Sequence, residues 1–367
     1  MYSDRDLDEA VSAGALTTED VARFRAYIER RNAAPLADEE SFRLVTSFND
    51  IFVSVAIIAL LVFCGWAAGL LGLGGIGVAA VSWWLAEYFT RRRRMALPSI
   101  LLLVAFVGGI FTGLANILEL FVGALAGSST TAAGHTYVVG GIADDIAAAL
   151  GAGVAVAIFL GMGLLTGLAT LFHWRRFHVP ITIAAAAAVA VVTALVAAGL
   201  LGFDKNLILV FSALLGISVL GLAMRYDASD RSRRTRRADV AFWLHLLAAP
   251  LIIHPLFTLM GVFSSDISAG ESLLILAIYL VLAYIALVID RRAALVSGLG
   301  YVLYAIGTMY GQVGGFADAA PLAAGTIGSA LLLLSIFWQR ARAMALKPLP
   351  EPWARRVPEA GSVSRSG

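Results

Sequence analysis

Ten stretches of this chain are long enough and apolar enough to cross a bilayer as helices. They run over 51–71, 74–90, 98–123, 147–172, 180–202, 206–224, 240–262, 272–289, 293–312 and 321–338. A spanning helix needs about 20 apolar residues, because the hydrocarbon core is roughly 30 Å thick. The chain is 60% hydrophobic and only 14% charged, against about 45–50% and about 25% in a soluble protein. The fold class that follows is all-α: a polytopic membrane helix bundle of about ten transmembrane helices with a small cytoplasmic helical head. The divisions are a headpiece over 1–50, the bundle over 51–338 and a cytoplasmic tail over 339–367, with disorder expected at its end.

Orientation follows from the arginines. Basic residues beside transmembrane helices stay on the cytoplasmic side. Arg91, Arg92, Arg93 and Arg94 form an unbroken run. With both termini inside, the other basic clusters fall on the same side. These are the head, Arg175–Arg176, Arg225–Arg237, Arg291–Arg292 and the tail. Lys205 alone falls outside. One missed or extra helix would invert every later loop, so this pattern supports the helix count independently of hydropathy. The outer loops carry Asp144, Asp145, Asp204, Asp266, Glu271 and Asp318, which reads as a cation-attracting vestibule or as ordinary loop polarity.

The Arg-for-Lys bias and abundant Ala suit a high-GC bacterium, which makes the expected location the bacterial inner membrane. No apolar segment opens the chain, so the head is expected to remain cytoplasmic. A net charge of +2 gives no sign of a nucleic-acid partner. The single cysteine, Cys64, cannot form an internal disulfide. Partners expected from the sequence are the lipid bilayer itself and anionic lipid headgroups at Arg91–Arg94 and Arg231–Arg237.

In the head, Ser3 and Thr17 stand at helix N-cap positions, with Asp6 and Asp20 at the box position three residues on. Gly14 separates the two helices, and Ala34-Pro35 ends the second. Two short helices lack the third that a helix-turn-helix reader needs, so a packed headpiece or a docking module is the reading. In the bundle, Gly65/Gly69, Gly109/Gly113, Gly163/Gly167 and Gly307/Gly311 have the small-xxx-small spacing that lets helix backbones approach.

Polar groups inside a membrane are costly, so they are the default functional candidates. Thr112, Asn116 and Glu119 share one face of the third segment. The seventh segment carries His245 and His254 with Pro250 and Pro255, and each proline removes a backbone donor. The spacing of nine residues sets the two histidines about half a turn apart on a helix of 3.6 residues per turn. Each is either a histidine bonded to a freed carbonyl or, for His254, a proton-relay or ligand group. Asn116, Glu119, His254 and His245 are thus the candidate polar pathway, and Asp144 and Asp145 the candidate outer-face acids. His173 and His178 flank Trp174-Arg175-Arg176-Phe177 as an interfacial anchor. Asp227 and Asp230 interrupt the Arg-rich loop. No Cys/His set has metal spacing. There is no P-loop, nucleophile elbow, dinucleotide fingerprint or HExxH. No cofactor and no catalytic residue is expected.

Three stretches together resemble a family of bacterial multi-helix membrane proteins that carry a domain of unknown function. They are the head with its Ala13-Gly14-Ala15-Leu16-Thr17-Thr18-Glu19 turn, the Trp243-Leu244-His245 to His254-Pro255 stretch, and the pair Ile289-Asp290-Arg291-Arg292 and Phe337-Trp338-Gln339-Arg340-Ala341-Arg342. The resemblance implies a bacterial inner-membrane protein and carries no activity across. The function expected is a small-solute or ion permease; the alternative is a non-transporting sensor or assembly factor acting through the head.

Overall fold

A computed structural model describes residues 4–24, 48–126, 151–230, 235–261, 268–314, 320–350 and 357. Among these residues the chain forms helices and no strand. Internal contacts divide it into one unit over Met1–Phe42 with Glu359–Gly367, and another over Arg43–Pro358.

In the first unit, α1 spans Asp4–Ser12. Gly14 follows at φ +72°, a conformation that costs glycine nothing. A second helix starts at 18. The Thr17 amide and hydroxyl both donate to Asp20, and the Asp20 amide returns a bond to the Thr17 hydroxyl. These bonds hold the Asp20 carboxyl below the usual carboxylate range. Ser3, and the Ala34-Pro35 break, lie outside the described residues.

The second unit is a polytopic bundle. Its helices are α2 (Phe48–Gly69), α3 (Gly74–Ala86), α4 (Ala96–Ala126), α5 (Ala152–Phe177), α6 (Ile181–Leu200), α7 (Lys205–Ser229), α8 (Arg236–Leu259), α9 (Ala269–Ile289), α10 (Ala293–Gly314), α11 (Ala320–Ile336) and α12 (Trp338–Leu346). Helices α2 to α11 fall on the ten apolar segments. Seven of them are long and apolar enough to cross a membrane, and α11 passes that test jointly with α12, from which it is bent by 77°. The two short members are α3, continued by a π segment over Glu87–Arg92, and α10, whose apolar stretch is Leu295–Gly311. Large apolar side chains such as Phe52, Val62, Leu164, Leu214 and Leu333 are exposed on the helix surfaces, as hydrocarbon-facing residues must be.

Burial picks out the centre. Half of the spanning window of α8 is buried, against 17% for α2. On one side of α8, Leu244 and Ala248 pack with Val191 of α6 and Val219 and Ala223 of α7. On the other, Ile253 and Phe257 pack with Ile275 of α9 and Tyr301 and Ala305 of α10. Gly216 lets α7 close on α8, since a Cβ there would sit 2.8 Å from Ile252 Cγ1 and 3.1 Å from the Leu251 carbonyl carbon.

At the other end of the bundle the tightest approach is α3 against α4. A Cβ on Gly75 would lie 2.2 Å from the Gly113 nitrogen, and one on Gly109 would lie 2.8 Å from the Gly75 oxygen. Only backbone against backbone fits at that crossing. Below it, Trp83 stacks on Phe172 and meets Phe106, His173 and Phe177. Glu87 takes a two-pronged bond from Arg176, at 2.7 and 3.0 Å. Helices α3, α4 and α5 are thereby tied at their arginine-bearing ends. His173 is buried in that aromatic cluster, deeper than the interfacial anchor its neighbours suggest.

Candidate functional site

Helix α7 ends one turn past the apolar window. Its last-turn residue Asp227 folds inward, and none of its side chain is exposed. The following loop is closed by Asp230, whose carboxylate accepts from both the amide (2.8 Å) and the hydroxyl (2.6 Å) of Thr235. The Thr235 hydroxyl in turn accepts from the Arg237 amide and caps α8, satisfying a donor that the first helical turn leaves open. The start of α8 is therefore held beside the end of α7, and His245, two turns into α8, faces Asp227.

Three groups meet there. Arg291 Nη2 donates to Asp227 Oδ1 at 2.6 Å and to the Ala238 carbonyl at 3.1 Å. His245 Nε2 lies 3.7 Å from Asp227 Oδ2. His245 Nδ1 is 2.8 Å from the Ala241 carbonyl. A carbonyl only accepts, so the Nδ1 position carries the proton, and any second proton goes to Nε2, on the side of the carboxylate. Arg291 and Asp227 are both 2% exposed or less. Taking two charges out of water costs several kcal/mol per ion before their attraction returns any of it.

The Arg291 backbone belongs to the turn between α9 and α10. Asp290 closes α9 at φ +60°, and the Arg291 amide bonds back to the Ala286 carbonyl at 2.9 Å, the helix-ending pattern usually made with glycine. The Asp290 carboxylate accepts from Trp338 Nε1 at 2.9 Å and faces Arg342 Nε at 3.3 Å. The Arg292 guanidinium stands 4.9 Å from the centre of the Trp338 ring. Three consecutive residues thus bind three helices: Asp290 and Arg292 reach α12, and Arg291 reaches α7 and the start of α8.

Comparison with protein-family models, curated proteins and solved structures finds no match. The site is read from its own chemistry. It sets one carboxylate beside one guanidinium and one imidazole, the imidazole Nε2 facing the carboxylate and the guanidinium anchored at the α9–α10 turn.

The remaining candidates are dispersed. His254 is exposed on α8, and its Nδ1 meets the Tyr301 hydroxyl at 2.5 Å. It does not join His245. Pro250 and Pro255 lie within α8, where each ring removes one i→i−4 bond from the ladder. The carbonyl that Pro255 leaves without a donor is Leu251, and Ser212 of α7 approaches it at 3.5 Å, so a neighbouring helix supplies what the ring removes. Asn116 Oδ1 accepts from the Gly75 amide at 3.4 Å, at the N-terminus of α3. The Thr112 hydroxyl bonds back to Gly108. Glu119 falls in α4 with its side chain outside the described residues. Asp144, Asp145 and Arg231–Arg234 are outside them also.

Sequence reading missed Asp227, Asp290, Arg291, Trp338 and Arg342 as partners. Asp227 and Arg291 read there as loop charges. The available signal is that the stretches around His245, Arg291 and Arg342 are those that carry the family resemblance.

Proposed function

We propose that this protein is a small-solute or ion permease of the bacterial inner membrane. Both termini are cytoplasmic, and Asp227, Arg291 and His245 form a proton-responsive gate at the cytoplasmic end. The observation that carries the reading is an ion pair buried from all solvent beside an imidazole, in a chain with few charges. Buried charges are costly wherever they sit, and His245 lies inside an apolar segment, where ionisable groups concentrate on ion and substrate pathways. In the closed arrangement Arg291 neutralises Asp227. A proton arriving at His245 Nε2 creates a second cation beside the same carboxylate, with Asp239 a further acid in electrostatic reach of Arg291. Arg291 then loses part of its hold, and the α9–α10 turn it anchors is freed to shift.

Flux in proteoliposomes tests this. The full-length protein is reconstituted with an entrapped pH dye and offered a panel of cations, anions, amino acids and sugars under a proton gradient. At least one solute should change internal pH faster than in empty vesicles. Asp227→Asn should abolish that change, and His245→Gln should flatten its pH dependence. If the wild-type protein moves nothing in the panel, the permease reading fails and a sensor or assembly role takes its place.

Orientation is checked separately. Reporter fusions after Arg94, Arg176, Arg237 and Arg292 should read as cytoplasmic, and fusions at Gly134 and Asp318 as periplasmic. A cytoplasmic signal at Gly134 would overturn the ten-helix topology.

A further inference from the structure

Where α5 ends, α7 ends and α8 begins, the helices leave a cleft of about 500 Å³. Leu222, Val240 and Trp174 line its apolar part, and Arg225, Arg236 and Arg237 its polar part. All three arginines are exposed. Among the described residues none of the three has an ion pair. Four other arginines at this end of the bundle are paired: Arg91 and Arg176 with Glu87, Arg291 with Asp227, and Arg342 with Asp290; what marks Arg225, Arg236 and Arg237 is that they line one cleft together. Asp239 offsets part of the charge of Arg236, but three guanidiniums around one cleft still repel one another unless an anion joins them. The Thr235 hydroxyl already caps the first turn of α8, so the attraction comes from the guanidiniums rather than from open helix amides.

The shape of the surroundings selects the kind of anion. Leu222 lines the cleft and is itself exposed, and Leu214, eight residues earlier on α7, is more exposed still. An apolar track therefore leads out of the cleft along α7, toward the hydrocarbon. A free phosphate would leave that track and the Trp174 wall without a partner. A phosphodiester with acyl chains fills both parts. Guanidinium forks match phosphate oxygens two at a time, and indole rings sit at headgroup depth.

We infer that this cleft is a binding site for one anionic glycerophospholipid, its phosphate held by Arg225, Arg236 and Arg237 and the start of an acyl chain lying on Leu222 and Leu214. The site is separate from the Asp227 cluster, and lipid binding does not depend on transport.

The test uses full-length protein in neutral detergent, titrated with phosphatidylglycerol or phosphatidylcholine and read by native mass spectrometry. Phosphatidylglycerol should bind and phosphatidylcholine should not. Each basic residue near anionic lipid contributes about fivefold. The variant R225Q/R236Q/R237Q should therefore weaken phosphatidylglycerol binding on the order of a hundredfold, and R225Q alone about fivefold. The control R355Q/R356Q/R365Q removes the same charge from the tail and should leave binding unchanged. Because the three arginines are exposed, the thermal melting point of the triple variant should match wild type. Equal binding of the two lipids, or undiminished phosphatidylglycerol binding by the triple variant, would overturn the proposal. Displacement of the lipid by millimolar inorganic phosphate would overturn it too, in favour of a free-phosphate site.

Discussion

Arg291→Met should destabilise the protein by about 3–5 kcal/mol, the usual cost of removing one partner from a buried ion pair. The cause is what remains. Asp227 would keep its negative charge with no exposed surface, the Ala238 carbonyl would lose its donor, and His245, 3.7 Å away, would face the carboxylate without the guanidinium. Neutralising both members should undo most of the loss, because a well-packed apolar pair of similar volume is often as stable as the ion pair it replaces. Asp227→Leu combined with Arg291→Met is therefore expected to recover stability that either change alone loses. Chemical unfolding in detergent, followed by tryptophan fluorescence, measures all three. A loss under about 1 kcal/mol for Arg291→Met would mean that the pair is solvated like a surface bridge. The double variant also separates structure from transport. If it is stable and still carries flux, the pair is a structural clasp and the gate is elsewhere. If it is stable and inert, the charges themselves are required.

Gly75→Ala should be nearly as damaging, at about 3 kcal/mol, the upper part of the range for overpacking a filled interface. The new Cβ would be 2.2 Å from the Gly113 nitrogen and 2.5 Å from the Thr112 hydroxyl oxygen. Neither neighbour can rotate away, since one is backbone and the other is fixed by its bond to the Gly108 carbonyl. Helix α3 has to move off α4, which also draws the Gly75 amide away from Asn116. Gly167→Ala is the matched comparison. A Cβ there meets open space, so the change should stay within about 0.5 kcal/mol, with helix propensity favouring alanine. Thermal unfolding of the two variants side by side decides whether the α3–α4 contact limits stability.

The glycines also mark where sequence reading succeeds and where it stops. Spacing alone put Gly109/Gly113 and Gly163/Gly167 on equal terms. In the structure both members of the first pair are pressed against α3, whereas Gly163 meets Thr193 and Gly167 meets nothing. A spacing motif reports that two backbones could approach; it does not report which helix arrives. The helices themselves were legible because a 20-residue apolar run has few alternatives in hydrocarbon. Asn116 was legible as a polar group in such a run, but its partner, the first turn of α3, depends on how the α2–α3 hairpin packs. Asp227 and Arg291 were the least legible. They are 64 residues apart, each at the edge of an apolar window, and each resembles a solvated loop charge until the ends of α7 and α9 are brought together. The head reads more easily, since the Thr17–Asp20 box is complete within four residues.

The α9–α10 turn has a mechanical consequence. Asp290 holds the short final helix through Trp338 and Arg342, and Arg291 holds the end of α7 through Asp227. Adjacent residues are rigidly linked by a planar peptide, with Cα atoms about 3.8 Å apart. A displacement of α12 therefore lies one peptide link from Asp227, a buried carboxylate on the other side of the α9–α10 turn.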